Sequence, residues 1–397
     1  MGCTELLCCS FEDKFIKPAL NIIIIDSDIE EENLKLTSQT YQKIKSLGKG
    51  SYGQVFLIKS LETQKEYALK ETIITKEKEV FLYFTMNEIN ILSKLKNPFI
   101  ISLKCAFKTQ LNKDMEKLDI IMEYVDNGDL NKLLIDNKYD EAYFEEKRIL
   151  NWLFQVCLAL IYLQKNDVIH RDIKPSNIFL MADDSIKLGD FGISKKVSKS
   201  SDVKLFIGTP RYTSPEIINK KDFSFKTDIW SLGVSFLELI SLRIPFLGYE
   251  NEEIYKNILD RNINTKILNK EKNGFNNNIT KRYSKKLLDL INEMISINPE
   301  DRPNAKDILN RDIIKERMEL YLKENNFDEN EAIKNIDIIK NDIKDKESFL
   351  KDNDKNINEK ERKQNIKIIK DLKCKKEFLK KMLIIDNYSK NNFQTIE

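Results

Sequence analysis

His170-Arg171-Asp172-Ile173-Lys174-Pro175-Ser176-Asn177 is the stretch on which the fold turns, and Asp190-Phe191-Gly192 follows it. Asp172 is a carboxylate able to accept or orient a hydroxyl proton. Asn177 offers an amide carbonyl oxygen and Asp190 a carboxylate, both hard donors suited to Mg2+. Either short motif arises by chance in many chains, so the weight falls on what precedes them.

Upstream, Gly48, Gly50 and Gly53 with Val55 spell G-x-G-x-x-G-x-V, where glycines let backbone N–H groups approach phosphates. A dinucleotide-binding turn needs a helix directly after the glycines. Here Gln54–Lys59 reads as a strand, Ser60–Lys65 as a turn and Glu66–Glu71 as a second strand. Lys70 ends Tyr67-Ala68-Leu69-Lys70 and can reach the α- and β-phosphates of a nucleotide. A buried lysine needs a carboxylate, and Glu88, on a helix expected over Phe81–Lys94, is the natural partner. Taken singly, Lys70 and Glu88 read as surface charges. The order and spacing of the glycine loop, Lys70, Glu88, Asp172, Asn177 and Asp190 remove that reading.

The 397 residues are 41% apolar and 33% charged, which suits one large domain or two lobes with solvated extensions. Lys+Arg number 66 against 64 Asp+Glu, a formal charge of +2, which argues against nucleic acid as a partner. The single histidine, His170, excludes any site built on two histidines. Six cysteines show neither zinc spacing nor a disulfide framework and suggest a reducing compartment. No apolar run approaches the ~20 residues of a membrane span, Ile22–Ile25 being far too short, and Met1–Ser10 lacks a secretory h-region.

Three segments are expected: a polar arm over 1–40, a domain over 41–314, and a charged tail over 315–397. Tyr41 to about Glu123 reads mostly as strand. Glu145–Asn166 reads as a helix, with Ile149, Leu153, Val156, Cys157 and Leu160 at helical spacing. The tail lacks Gly and Pro, and Ile336, Ile339, Ile343, Leu350 and Ile357 approximate an a/d stripe interrupted by Lys346 and Asn353. It reads as short amphipathic helices or a weak coiled coil available for self-association or a partner helix. The alternative is a solvated helical tail.

At these residues the segment from Tyr41 to about Ile313 resembles a eukaryotic protein kinase domain. Ser214-Pro215-Glu216 takes the A-P-E position with Ser for Ala, and Asp228-Ile229-Trp230-Ser231-Leu232-Gly233 looks like the buried helix of the large lobe. The resemblance implies an α+β, bilobal kinase fold: a small β-rich N-lobe and a larger α-helical C-lobe, here followed by a helical tail. It implies ATP and Mg2+ as cofactors. Asp172, Lys174, Lys70 and Glu88 are the catalytic candidates. Asn177 and Asp190 are the metal candidates. Nucleotide candidates are Gly48, Gly50, Gly53, Val55, Ala68, Lys70, Met122 as gatekeeper, the hinge at Glu123 and Val125, and Phe179. Arg302 is the expected ion-pair partner of Glu216.

Asp172-Ile173-Lys174 carries the lysine typical of serine/threonine kinases, and Thr209 resembles the threonine that bonds to the catalytic aspartate and lysine. The substrates implied are therefore Ser/Thr hydroxyls of proteins. Leu188-Gly189-Asp190-Phe191-Gly192, Gly128-Asp129-Leu130, Lys174-Pro175-Ser176-Asn177-Ile178-Phe179-Leu180 and Gly208-Thr209-Pro210-Arg211-Tyr212 look like NIMA-related kinases. That resemblance implies cell-cycle, microtubule or ciliary regulation and a cytoplasmic, cytoskeletal or ciliary location. One departure stands out. The family usually places a phosphorylatable residue three positions before the glycine of Gly208-Thr209-Pro210, where this chain has Leu205. Either the loop orders without phosphate or Ser198, Ser200 or Ser201 takes over; substantial phosphate-independent activity is the expectation.

Met1-Gly2-Cys3 resembles a myristoylation start beside a palmitoylation cysteine, with Cys8 and Cys9 near by and Leu6 where Ser or Thr is usual. A membrane tether through Gly2 and Cys3 is one reading and an unmodified arm the other. Two further readings compete with an active protein kinase. A pseudokinase scaffold acting through its tail is disfavoured because Lys70, Asp172 and Asp190 are all present. A small-molecule kinase is disfavoured by Thr209 and Ser214-Pro215-Glu216.

Overall fold

The structure is a computed structural model that describes residues 22–25, 41–50, 53–75, 79–112, 114–196, 208–222, 224–269, 274–353 and 357–393. The chain divides into two compact units, Met1–Ile89 with Leu103–Tyr124, and Asn90–Ser102 with Val125–Glu397.

The smaller unit is built on one antiparallel sheet. Its strands are β1 (Ile22–Ile25), β2 (Tyr41–Gly50), β3 (Gly53–Ser60), β4 (Glu66–Thr75), β5 (Leu103–Asn112) and β6 (Met115–Glu123), in the order β1-β5-β6-β4-β3-β2. Helix α1 (Glu79–Leu92) follows β4. Side chains alternate across a strand, so Leu69 and Lys70 face opposite sides of the sheet. On the side of Leu69, Tyr41, Ile58, Tyr67, Cys105, Phe107 and Ile121 pack into a buried apolar cluster. The segment expected as a polar arm contributes β1, which pairs with Cys105, Ala106 and Phe107. Ile22, Ile24 and Ile25 pair along β5 across a register shift between Ile22 and Ile24, a role that the charge of the surrounding arm conceals.

The larger unit is mainly helical. Helices α2 (Leu130–Tyr139) and α3 (Glu146–Lys165) come first; Ile149, Leu153, Val156, Cys157 and Leu160 of α3 are all buried. After α3 come β7 (Val168–Ile169), one 3-10 turn over Pro175–Asn177, and the hairpin of β8 (Ile178–Leu180) and β9 (Ile186–Leu188). Helix α4 (Pro215–Ile218) precedes α5 (Lys226–Ser241), which is buried from Thr227 to Ser241, as expected of a helix enclosed on all sides. Helices α6 (Asn251–Leu259), α7 (Asn277–Thr280), α8 (Lys285–Met294) and α9 (Ala305–Leu309) complete this core.

The tail forms α10 (Asp312–Glu324), α11 (Glu329–Asp352) and α12 (Glu359–Phe393). Asn326 adopts a left-handed conformation, φ 49°, beyond the end of α10, and Asp328 caps α11 by accepting from the Glu331 N–H at 2.7 Å. Ile339, Ile343 and Leu350 of α11 pack against Ile369, Leu372 and Leu379 of α12. The apolar stripe of α11 is thus covered within the same chain. Helix α10 lies on α3, with Phe154 and Tyr321 edge to face at 5.4 Å and Arg317 donating to Asn151 at 2.8 Å.

Candidate active site

In the smaller unit the glycine hairpin closes with Gly48 opposite Val55 and Gly50 opposite Gly53. A Cβ on Gly53 would stand 2.1 Å from the carbonyl oxygen of Glu71, so only glycine allows β3 to approach β4 there. Val55 pairs with Lys70 in register, and Ala68 with Met122; Glu123 ends β6. The Lys70 Nζ donates to Glu88 Oε2 at 2.7 Å, with side-chain exposures of 6% and 2%. Strand β4 and helix α1 therefore bring together the pair that the sequence spacing indicated. Each charge offsets the other's desolvation.

In the larger unit everything converges on Asp172. Its Oδ2 accepts from Lys174 Nζ at 2.7 Å and from Asn177 Nδ2 at 3.0 Å. Its Oδ1 accepts from the Thr209 hydroxyl at 2.8 Å and from the Thr209 N–H at 3.3 Å. Lys174 also donates to Thr209 Oγ1 at 2.7 Å. The Asn177 amide nitrogen donates a second time, to the Asp172 carbonyl oxygen at 2.8 Å. Both donations orient the amide, which turns Asn177 Oδ1 away from Asp172.

Asn177 and Asp190 flank one hairpin. Ile178 pairs with Leu188, and the Gly189 N–H donates to the Asn177 carbonyl oxygen at 3.0 Å. Gly189 has no room for a side chain: a Cβ would meet the Phe179 ring at 2.7 Å. Asp190 holds φ at 59° and Arg171 at 71°, left-handed values that side-chain-bearing residues keep only when their surroundings impose them. Val125 is buried in this unit.

A residue whose role the sequence reading missed supports the loop from below. Asp228, at the start of α5, accepts from the His170 N–H at 2.9 Å and the Arg171 N–H at 2.8 Å. Burial pushes its carboxyl above the usual range, against the pull of the two N–H donors and of the Arg171 charge. His170 Nε2 lies 3.0 Å from the Gly189 carbonyl oxygen, while Nδ1 accepts from the Asp172 N–H at 3.3 Å, which assigns the proton to Nε2. His170 thereby ties the Asp172 loop to the residue preceding Asp190. The Arg302 guanidinium forms two bonds of 2.8 Å with Glu216. Burial raises the Glu216 carboxyl, but Arg302 and Thr227 outweigh it and hold the group below its usual value.

The donor set fits a hard divalent cation. Asn177 and Asp190 supply oxygens alone, and among the described residues no cluster of three His, Cys, Asp or Glu side chains could hold a metal by itself. Mg2+ commonly takes only one or two protein oxygens and completes its shell with water and phosphate oxygens. Ser198, Ser200, Ser201 and Leu205, and the proposed acylation residues Gly2, Cys3, Cys8 and Cys9, lie outside the described residues. Among the described residues no helix is long and apolar enough to cross a membrane.

The protein kinase domain family matches residues 41–314, more than half of the chain. The chain belongs to the protein kinase family. It is 32% identical over 299 residues to serine/threonine-protein kinase Nek1 of Mus musculus, an alignment that takes in 75% of this chain and 23% of Nek1. It is 34% identical over 288 residues to serine/threonine-protein kinase Nek5 of Homo sapiens, covering 71% of this chain and 37% of Nek5. It is 35% identical over 272 residues to probable serine/threonine-protein kinase nek2 of Dictyostelium discoideum, covering 68% of this chain and 61% of that kinase. The resemblance to NIMA-related kinases is borne out, and this kinase spans less than two thirds of the length of these curated relatives.

Proposed function

We propose that this kinase transfers the γ-phosphate of ATP to serine or threonine hydroxyls of protein substrates, with Mg2+ as the metal. The observation that carries the proposal is the Asp172 carboxylate, held on one oxygen by Lys174 and Asn177 and on the other by Thr209. Such a carboxylate is oriented to receive a hydroxyl proton, and Lys174 beside it offsets negative charge on the transferring group. Lys70, oriented by Glu88, binds the α- and β-phosphates, and the backbone at Gly48, Gly50 and Gly53 covers them. The adenine-binding candidates are Val55, Ala68, Met122 and the backbone of Glu123 in the smaller unit, and Phe179 and the backbone of Val125 in the larger. Asn177 and Asp190 hold the metal through oxygen. Bound magnesium supplies charge neutralisation and alignment of the phosphates.

The choice of serine and threonine rests on Lys174 and Thr209 and on the similarity to serine/threonine-protein kinases. A role in cell-cycle, microtubule or ciliary regulation, in the cytoplasm or at the cytoskeleton or cilium, rests on the NIMA-related resemblance. The scaffold alternative is not favoured, since the Lys70–Glu88 pair and the Asp172 network are assembled.

The test is a peptide array with Ser, Thr and Tyr acceptors, ATP and Mg2+, run on the full chain. Ser/Thr phosphorylation is expected, falling ~10²–10⁴-fold in Asp172→Asn and in Asp190→Asn with the fold retained by circular dichroism. Wild-type turnover in Asp172→Asn, or phosphorylation of tyrosine alone, would overturn it.

A further inference from the structure

The β8–β9 hairpin sets the separation of the two residues read as metal ligands. Asn177 immediately precedes β8, and Asp190 lies just past β9 at the same end. The middle of β9 and the far end of the hairpin are gripped from two sides. From α3, Arg148 pairs with Asp184 at 2.7 Å, Trp152 Nε1 donates to the Asp184 carbonyl oxygen at 3.3 Å, and Gln155 Oε1 accepts from the Ile186 N–H at 3.0 Å.

The second grip comes from the tail. Glu377 of α12 lies 3.0 Å from Lys187 Nζ, in the middle of β9. One turn later Lys381 donates to the Ser185 hydroxyl and stands 3.6 Å from Asp183. A negative and a positive charge on one helix face thus meet a positive and a negative charge on the hairpin. Lys187, Lys381 and Ser185 are 2%, 2% and 1% exposed, while the side chains of their carboxylate partners Glu377 and Asp183 are each 34% exposed. Burial raises the Glu377 carboxyl, yet Lys187 and Lys381 outweigh it and hold the group below the usual range. Lys187 and Lys381 are the desolvated members, and removing the facing carboxylate takes away part of what offsets their burial. Met382 and Ile385, both buried, anchor the adjoining turn of α12.

We infer that Glu377 and Lys381 are positioning residues for phosphoryl transfer, acting through Lys187, Ser185 and Asp183 to hold the β8–β9 register that spaces Asn177 from Asp190. The inference rests on the reading of Asn177 and Asp190 as the Mg2+ ligands. The tail is then a part of the catalytic unit rather than an appendage to it. Loosening its grip weakens metal use and leaves peptide recognition alone.

The experiment uses the full chain in four forms: Glu377→Gln, Lys381→Met, Lys187→Glu, and the charge-exchanged Lys187→Glu/Glu377→Lys. Initial rates are measured against Mg2+ at saturating ATP and against peptide at saturating Mg2+, at a temperature where circular dichroism shows each form folded. Hydrogen exchange of the Gly189 and Met181 amides, which donate across the hairpin to the carbonyl oxygens of Asn177 and Ser185, is followed without nucleotide or metal. Glu377→Gln and Lys381→Met should raise the Mg2+ concentration for half-maximal rate about tenfold, the scale seen when groups behind a metal ligand are removed. The peptide KM should stay within about twofold and exchange at both amides should quicken. Lys187→Glu alone should be worse than either, and exchanging the charges should recover most of the loss. Lower thermal stability with unchanged Mg2+ dependence and unchanged exchange would overturn the inference and leave the tail a packing element. Asp190→Asn separates the two readings: if it keeps wild-type Mg2+ dependence, the metal assignment fails. If it is inactive while the tail variants behave as wild type, only the positioning role fails.

Discussion

The side-chain nitrogen of Asn177 donates to Asp172 twice, at 2.8 Å to its backbone carbonyl and at 3.0 Å to its carboxylate. One amide therefore serves two purposes, steadying the carboxylate with its nitrogen and presenting its oxygen elsewhere.

Asn177→Asp tests this double duty. An aspartate is a good Mg2+ ligand, so if the side chain served the metal alone the change would be mild. A carboxylate cannot donate, and it would place a second negative charge beside Asp172. We expect kcat to fall by at least ~10²-fold while the Mg2+ requirement stays equal or drops. The check is a rate-against-Mg2+ titration; unchanged kcat would show that the bonds to Asp172 carry nothing.

Arg302→Lys tests the ion pair with Glu216. The guanidinium gives two bonds to the carboxylate and others to the carbonyls of Ser296, Ile297 and Lys226, a fork that an ammonium cannot reproduce. Leaving buried Glu216 poorly paired should destabilise the larger unit by about 3 kcal/mol. Because the folded Glu216 value lies below its unfolded one, the pair contributes fully above the unfolded value and is lost as pH falls through the folded value. Denaturant unfolding at pH 7 measures the loss; a change below about 0.5 kcal/mol would refute it.

Asp119 supplies a pH signature with the opposite sign. It is completely buried beside Lys117, 2.8 Å away. Burial outweighs Lys117 and pushes its carboxyl up to about 6. The folded protein then holds this proton more tightly than the unfolded chain, whose value is about 3.9. Stability from this group is present below about pH 4 and is lost as pH rises through about 6, up to about 3 kcal/mol in all. Asp119→Asn cannot titrate, so its stability relative to wild type should climb across that window and level off above it. Thermal unfolding of both proteins from pH 4 to 8 tests this; parallel curves would contradict it.

Much of the kinase was legible in its residues alone. The pairing of Lys70 with Glu88, of Thr209 with Asp172 and Lys174, and of Arg302 with Glu216 was expected from residue type and order and stands in the structure, because a buried charge accepts few partners. The burial of Ile149, Leu153, Val156, Cys157 and Leu160 was equally readable, since a helix with that spacing has one face it must hide. Three features depended on tertiary structure. Ile22–Ile25 is too short to declare itself and becomes a strand only where β5 offers an unpaired edge. Asp228 resembles any helix-start aspartate until the fold sets two N–H groups of the Asp172 loop against it. Glu377 and Lys381, in a tail dense with charge, look like a solvated face. Pairing with Lys187 and Asp183 joins residues nearly two hundred positions apart, and a charge pattern along one helix carries no information about which distant surface will exclude water from it.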